Sequence, residues 1–305
     1  MSKSIAWLFL ILANAFWAGN YIFGKFVAAE VSPIGITFAR WLLALFLLFP
    51  LALWIEKPDW RQVKQAWLQL AVLGMTGAIG YNISLYAALQ FTTATNAALV
   101  NALNPALIVL CSAFLLRERM AKVQLGGFLL SLFGVLFILT QGSLSRLLST
   151  DYNTGDLLML IAISSWTLYS LLIKRLANIP PITATAVSSL IAVFLMLPFV
   201  FSSPVLLQPI GTRSVIGIVY MAVFPSVGSY LLWNFSLRTV SASQAGITLN
   251  LIPVFTALIG ITIGEQVTVA QILGGLLVFA GVTLTSVSPG LWRLRREKRG
   301  ESLLR

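Results

Sequence analysis

Ten apolar runs, each 18 to 25 residues long, follow one another through this 305-residue chain. They fall at about 5–27, 33–54, 67–89, 95–115, 123–140, 155–176, 182–202, 213–237, 242–263 and 268–287. Pro33, the group Lys57, Pro58 and Asp59, the group Arg117, Glu118 and Arg119, the pair Pro180 and Pro181, and Pro204 punctuate them. The hydrocarbon core of a bilayer, about 30 Å thick, needs roughly 20 apolar helical residues per crossing. Ten crossings and short loops use nearly the whole chain. Only 10% of residues are charged and 58% are hydrophobic, whereas a water-soluble surface normally takes about 25% charged residues. The expected fold class is therefore an all-α integral membrane protein with ten transmembrane helices. The first run is too long for the apolar core of a signal peptide and holds Asn14 and Asn20, so it is taken as the first span.

Loop charges give the spans a direction. One set of alternate loops and termini carries Lys3, Lys57, Arg61, Lys64, Arg117, Arg119, Lys122, Lys174, Arg175, Arg238, and a basic tail from Arg293 to Arg305; the other set carries Lys25, Arg146 and Arg213. Sixteen cations against three predicts both termini in the cytoplasm of a cell's inner (plasma) membrane. The same bias accounts for the net charge of +11 without a nucleic-acid partner; the tail is expected to hold lipid headgroups. Histidine is absent, Cys111 is the single cysteine, and no metal-ligand spacing or phosphate loop occurs. Neither an enzyme nor a cofactor or metal site is expected. A receptor or scaffold would need a soluble effector region, and no long polar stretch is present.

An internal repeat organises the spans. Trp17, Ala18, Gly19, Asn20, Tyr21 and Lys25 match Trp166, Thr167, Leu168, Tyr169, Ser170 and Lys174 at an offset of 149. Asn104 and Pro105 sit where Ile252 and Pro253 follow at an offset of 148, and Glu118, Gln124, Gly127 and Gly134 match Glu265, Gln271, Gly274 and Gly281 at 147. Three matches in one order point to a duplication of a five-span unit. Five is odd, so the copies insert in opposite senses. Such inverted repeats place a solute site near the bilayer midplane, between the halves. The expected units are 1–145, 146–288 and a cytoplasmic tail, 289–305.

The paired pattern resembles the drug/metabolite transporter superfamily, in particular its ten-span EamA-type members. The resemblance rests on Trp17 to Lys25, on Phe38, Ala39, Arg40 and Trp41, on Asn104 and Pro105, and on Gly264, Glu265, Gly274 and Gly275, and covers residues 5–287. It implies alternating-access export of small metabolites, often amino acids, without naming the substrate. Small multidrug relatives use a carboxylate in the first span for proton exchange. Here Asn14 occupies that part of the span, so facilitated diffusion or exchange is the better expectation.

Polar side chains inside spans face a bundle interior or a cavity. Trp17, Asn20, Tyr21 and their partners Trp166, Tyr169 and Ser170 lie on two equivalent helix faces, and with Arg40, Asn82, Tyr86, Asn101 and Trp233 they form the expected solute site. Arg40, about 10 Å inside its span, is either a structural tie or a contact for a substrate carboxylate. Lys25 and Lys174 either reach the headgroups or act as gates; Pro105 and Pro253 either hinge or shape their helices. Gly74, Gly77 and Gly80 are expected to pack closely, and Glu118 to cap the following helix or pair with a nearby arginine. Expected partners are a small-molecule substrate and membrane lipids, and the chain is expected to be a monomer or weak homodimer.

Overall fold

The computed structural model describes residues 1–91, 97, 100–118, 120–143, 145, 153–202, 204–262 and 268–286. Asn96, Gly264, Glu265, the basic tail and the side chain of Lys25 lie outside the described residues. Among the described residues, eight helices are long and apolar enough to cross a membrane: α1 (Lys3–Glu30), α2 (Pro33–Glu56), α3 (Trp67–Phe91), α5 (Lys122–Leu139), α6 (Thr154–Arg175), α7 (Pro181–Ser202), α8 (Thr212–Leu237) and α9 (Ala242–Ile259). Two shorter apolar helices, α4 (Asn104–Leu115) and α10 (Val269–Ser286), hold the fourth and tenth places. Helix starts follow their capping residues. Ser2 and Ser32 accept the Ile5 and Gly35 N–H groups at 3.3 Å, and Pro33 supplies the first residue of α2. Asn153 and Asp156 cap α6 reciprocally, as Ser241 and Gln244 cap α9.

The helices pair across the duplication. α1 packs on α8 and α9; its repeat counterpart α6 packs on α3 and α4; α2 packs on α7, and α5 on α10. This is the pattern of a two-fold axis relating inverted halves. The α5–α10 seam is made by the glycines that repeat in sequence. A Cβ on Gly127 would stand 2.6 Å from the Gly281 carbonyl oxygen, and one on Gly134 would stand 2.7 Å from that of Gly274. Such backbone proximity is what small residues allow in a membrane, where lipid tails supply no hydrophobic drive for helix association. Outward-facing Phe46, Phe114, Phe199 and Phe201 present an apolar surface that hydrocarbon solvates.

Several spans are not regular α-helices. α3 contains a π-helical segment at Gly74–Gly80, and α8 contains one at Ala222–Ser229, at the equivalent place of the second repeat. A further π-helical turn, Ala52–Glu56, ends α2, and Lys57 closes it with φ +47°. The glycines of α3 sit where neighbours come closest: a Cβ on Gly74 would meet the Ser188 carbonyl oxygen at 2.3 Å, and one on Gly77 the Tyr169 ring at 2.4 Å. In α9 a 3-10 turn, Thr248–Asn250, precedes Pro253; just before α4 a turn at Ala102 and Leu103 precedes Pro105. Both prolines stand in the first turn of the segment after a break, where a missing N–H costs little.

Candidate functional site

The duplicated tryptophans meet at the centre. Trp17 of α1 and Trp166 of α6 are buried and touch edge to face, with ring centroids 5.0 Å apart at 85°. Trp233 of α8 lies 5.5 Å from each of them, and Tyr230 lies 5.2 Å from Trp166. Tyr169 stacks on Trp166 at 5.2 Å, Tyr81 packs at 5.3 Å, and Trp41 of α2 meets Tyr230 at 4.8 Å. Seven rings from five helices thus form one cluster, in the edge-to-face and offset geometries that aromatic quadrupoles favour. Against it lies a cavity lined by Trp17, Tyr81, Asn101, Asn104, Trp166, Leu249 and Ile252, with room for about one water molecule. The cavity is thus too small, as it stands, to hold an organic solute.

The polar side chains expected in one site divide into two groups. Asn101 and Trp166 line the cavity. Asn20, Asn82 and Tyr86 turn instead toward Arg40, which is 1% exposed. Arg40 Nη1 donates to Asn20 Oδ1 at 2.9 Å, Asn82 Oδ1 at 3.0 Å and the Tyr86 hydroxyl at 2.6 Å, and Nε donates to Ser226 Oγ of α8 at 2.7 Å. All four acceptors are neutral, and none belongs to a carboxylate. The guanidinium also lies 5.9 Å from the Trp41 ring centroid, and Trp41 and then Tyr230 stand in series between it and Trp166. Asn82 holds its orientation by donating to the Gly77 and Ala78 carbonyls, the first released by the π-helical segment of α3. Tyr21 pairs with Tyr81 at 3.4 Å between their hydroxyls. Tyr169 accepts from Asn234 at 2.7 Å, and Ser170 Oγ is buried without a hydrogen bond.

Two expectations about the helix ends are corrected. Glu118 does not cap the following helix, where Gln124 accepts the Ala121 N–H at 3.0 Å, nor does it pair with an arginine among the described residues. Its carboxylate caps α9, accepting the Ala242 and Ser243 N–H groups at 3.0 and 3.1 Å and the Ser243 hydroxyl at 2.9 Å. Lys174 does not reach for headgroups. Its Nζ donates to the Leu237 carbonyl at the end of α8 and the Val240 carbonyl just beyond it, at 2.8 and 2.6 Å, and lies 3.7 Å from Glu118. The physical reason is common to both. Free N–H and C=O groups at helix termini attract charge of opposite sign, and they are nearer than water or lipid. Glu56 makes a parallel tie, accepting the Ile182 and Thr183 N–H groups of α7 at 2.9 and 2.7 Å. Arg175 donates to the Leu115 carbonyl and Arg238 to that of Ile179. These contacts close one face, here called the basic face. On the opposite face Glu30 accepts the Gly211 N–H at 2.7 Å, and Val205 accepts the Ser32 N–H at 2.9 Å.

Sequence reasoning missed Trp41, Leu249 and Ile252 as neighbours of the site. Trp41 stood in plain view as a large aromatic deep in its span. The last two carried no polar signal.

Known proteins share this architecture. The model of the EamA-like transporter family matches residues 4–140 and again 153–287. The Bacillus subtilis (strain 168) transporter YyaM is 30% identical over 285 residues, 92% of this chain and 93% of that one. The S-adenosylmethionine/S-adenosylhomocysteine transporter of Chlamydia muridarum is 27% identical over 278 residues, covering 85% of each chain. A solved crystal structure matches the fold with a TM-score of 0.75 at 22% identity, covering 93% of this chain and 96% of the other. With two such matches spanning nearly all its length, the chain belongs to the EamA-like transporter family within the drug/metabolite transporter superfamily, and it is a multi-pass membrane transporter, not an enzyme.

Proposed function

We propose that this protein is a secondary transporter that exports small organic metabolites, amino acids and their derivatives among them, by alternating access through the central cavity. The observation that carries the reading is the contact of Trp17 with Trp166, 5.0 Å apart on the cavity wall. They are repeat partners, one from each half, so relative movement of the halves separates them and opens the space between. Aromatic walls suit an organic solute, and Asn101 and Asn104 supply orienting polar groups. The relative named as a carrier of S-adenosylmethionine and S-adenosylhomocysteine supports a solute of this kind.

Both termini lie in the cytoplasm of the plasma membrane in this reading, as the loop cations favour, which makes the basic face the inner one. The tie of Lys174 and Glu118 is then the inner gate: it joins the ends of α6, α8 and α9 to the loop after α4. Opening inward requires those bonds to part. Among the described side chains, no carboxylate lies deep in a span; buried Asp156 caps the first turn of α6. Exchange or facilitated flux fits better than proton coupling through a buried acid, and the solute gradient then sets the net direction.

Purified protein in liposomes is expected to accelerate flux of an amino acid or similar metabolite. Trp17→Ala and Trp166→Ala are each expected to lower that flux while the protein remains folded. Undiminished flux in both variants would sink the paired-cavity reading.

A further inference from the structure

The ring cluster lies between two sets of polar ties. Lys174 follows Trp166 on α6 toward the basic face, where it meets Glu118. The Arg40 network stands on the other side. Asn20 follows Trp17 on α1, and Tyr86 follows Tyr81 on α3, both toward the face of Glu30. This network crosses a seam. α1 packs on α8, and α3 packs on α6. Asn20 and Ser226 belong to the α1–α8 side, Asn82 and Tyr86 to the α3–α6 side, and the one guanidinium of Arg40 bonds to all four. The Tyr86 hydroxyl also donates across the seam to Asn20 Oδ1 at 3.0 Å. Trp17 and Trp166 face each other from the same two sides. Both sides of the network stand at irregular backbone: Ser226 lies inside the π-helical segment of α8, and Asn82 bonds to the Gly77 carbonyl in that of α3. Such segments recur at functional sites.

A guanidinium keeps its proton, so inside a span it needs acceptors or water. The acceptors here are neutral, and no ion pair has to be broken when it lets go. Two surroundings satisfy it: the dry network, or water admitted from the face of Glu30. Anything between leaves a bare charge in the span, so the network is either made or parted.

We propose that Arg40 is the gate residue on the face of Glu30: its hold on Asn20, Ser226, Asn82 and Tyr86 closes the cavity to that face, and parting of the α1–α8 side from the α3–α6 side opens it. This rests on the transport reading, with the cavity as the solute's site. It gives the Lys174–Glu118 tie a counterpart, so that one set parts while the other holds.

The test reads access to the cavity from each face. Asn101→Cys in a Cys111→Ala protein is labelled by an impermeant maleimide in intact cells and in inverted membrane vesicles. Gln208→Cys and Lys64→Cys, exposed on the Glu30 face and the basic face, show which face each preparation presents. Ser226→Ala and Tyr86→Phe each remove a partner of Arg40 with little change of shape. Arg40→Lys keeps the charge but loses the fork that reaches both sides. Each is expected to raise labelling from the Glu30 face about tenfold, without a rise from the basic face. Glu118→Gln is expected to do the reverse. A merely structural network would loosen the protein and raise labelling from both faces alike. That result, or unmoved labelling from the Glu30 face in all three variants while they remain folded, overturns the gate. Solute flux judges the transport reading separately: flux in the parent with labelling unmoved removes the gate alone, whereas no flux and no labelling from either face in any variant removes both.

Discussion

Replacing Glu118 by glutamine changes one oxygen for a nitrogen in the proposed inner gate. Three donors from Ala242 and Ser243 and the Lys174 ammonium converge on the carboxylate. At 3.7 Å, full unit charges in an effective dielectric of about 20 attract by about 4.5 kcal/mol. The two side chains are 23% and 13% exposed, so water recovers much of that when they separate, and about 1 kcal/mol remains. Losing the charge at the α9 N-terminus, and turning an amide N–H₂ toward a backbone donor, removes about 1 kcal/mol more. The open-inward form then gains about 2 kcal/mol relative to the closed form, or roughly 30-fold in population. A reporter cysteine at Asn101, in a protein whose Cys111 has become alanine, reads that population through its labelling by an impermeant maleimide added at the basic face. Labelling is expected to be about 30-fold faster in Glu118→Gln, and Lys174→Met is expected to act in the same direction. Unchanged labelling in both variants, with the folded protein intact, would refute the gate.

Other perturbations test the frame that carries the site. Gly127→Ala is expected to lower stability by about 1–3 kcal/mol, because its Cβ would meet the α10 backbone; Gly126→Ala, with open space around it, is expected to be neutral or stabilising by up to about 1 kcal/mol. Thermal unfolding in detergent distinguishes the two neighbours directly. Glu56→Ala removes the carboxylate that caps α7 and is expected to cost about 1–2 kcal/mol, read as a lower unfolding midpoint.

Much of the architecture was legible because a duplication writes each contact twice. The offset near 149 marked Trp17 and Trp166 as equivalent, and equivalent residues near a two-fold axis meet. The glycines at 127, 134, 274 and 281 were legible for the same reason, and they form the α5–α10 seam. The surroundings of Arg40 were only partly legible. Its position inside a span showed that acceptors were needed, but helical periodicity cannot tell which neighbour turns toward it. Ser226, 186 residues away, carried no mark of that role. The π-helical segments in α3 and α8 add to the difficulty, since each shifts the phase of every residue after it. A regular projection through either segment therefore misplaces the residues after it, Asn82 and Tyr86 in α3 and Tyr230 in α8. Glu118 was found at the right end of the molecule but with the wrong helix, because capping was sought in the nearest sequence rather than the nearest space.

Arg40 has no counterpart in the second half; the matching place in α7 holds Ser188 and Ser189, which bond to their own helix. Two identical five-helix chains assembled about the same axis would be obliged to bring two guanidiniums to one small chamber, or none. Joining the halves in a single polypeptide lifts that obligation. Each wall can then be altered without its mirror, so an odd charge, and a solute whose two ends differ, become accessible to a fused transporter and not to a symmetric pair.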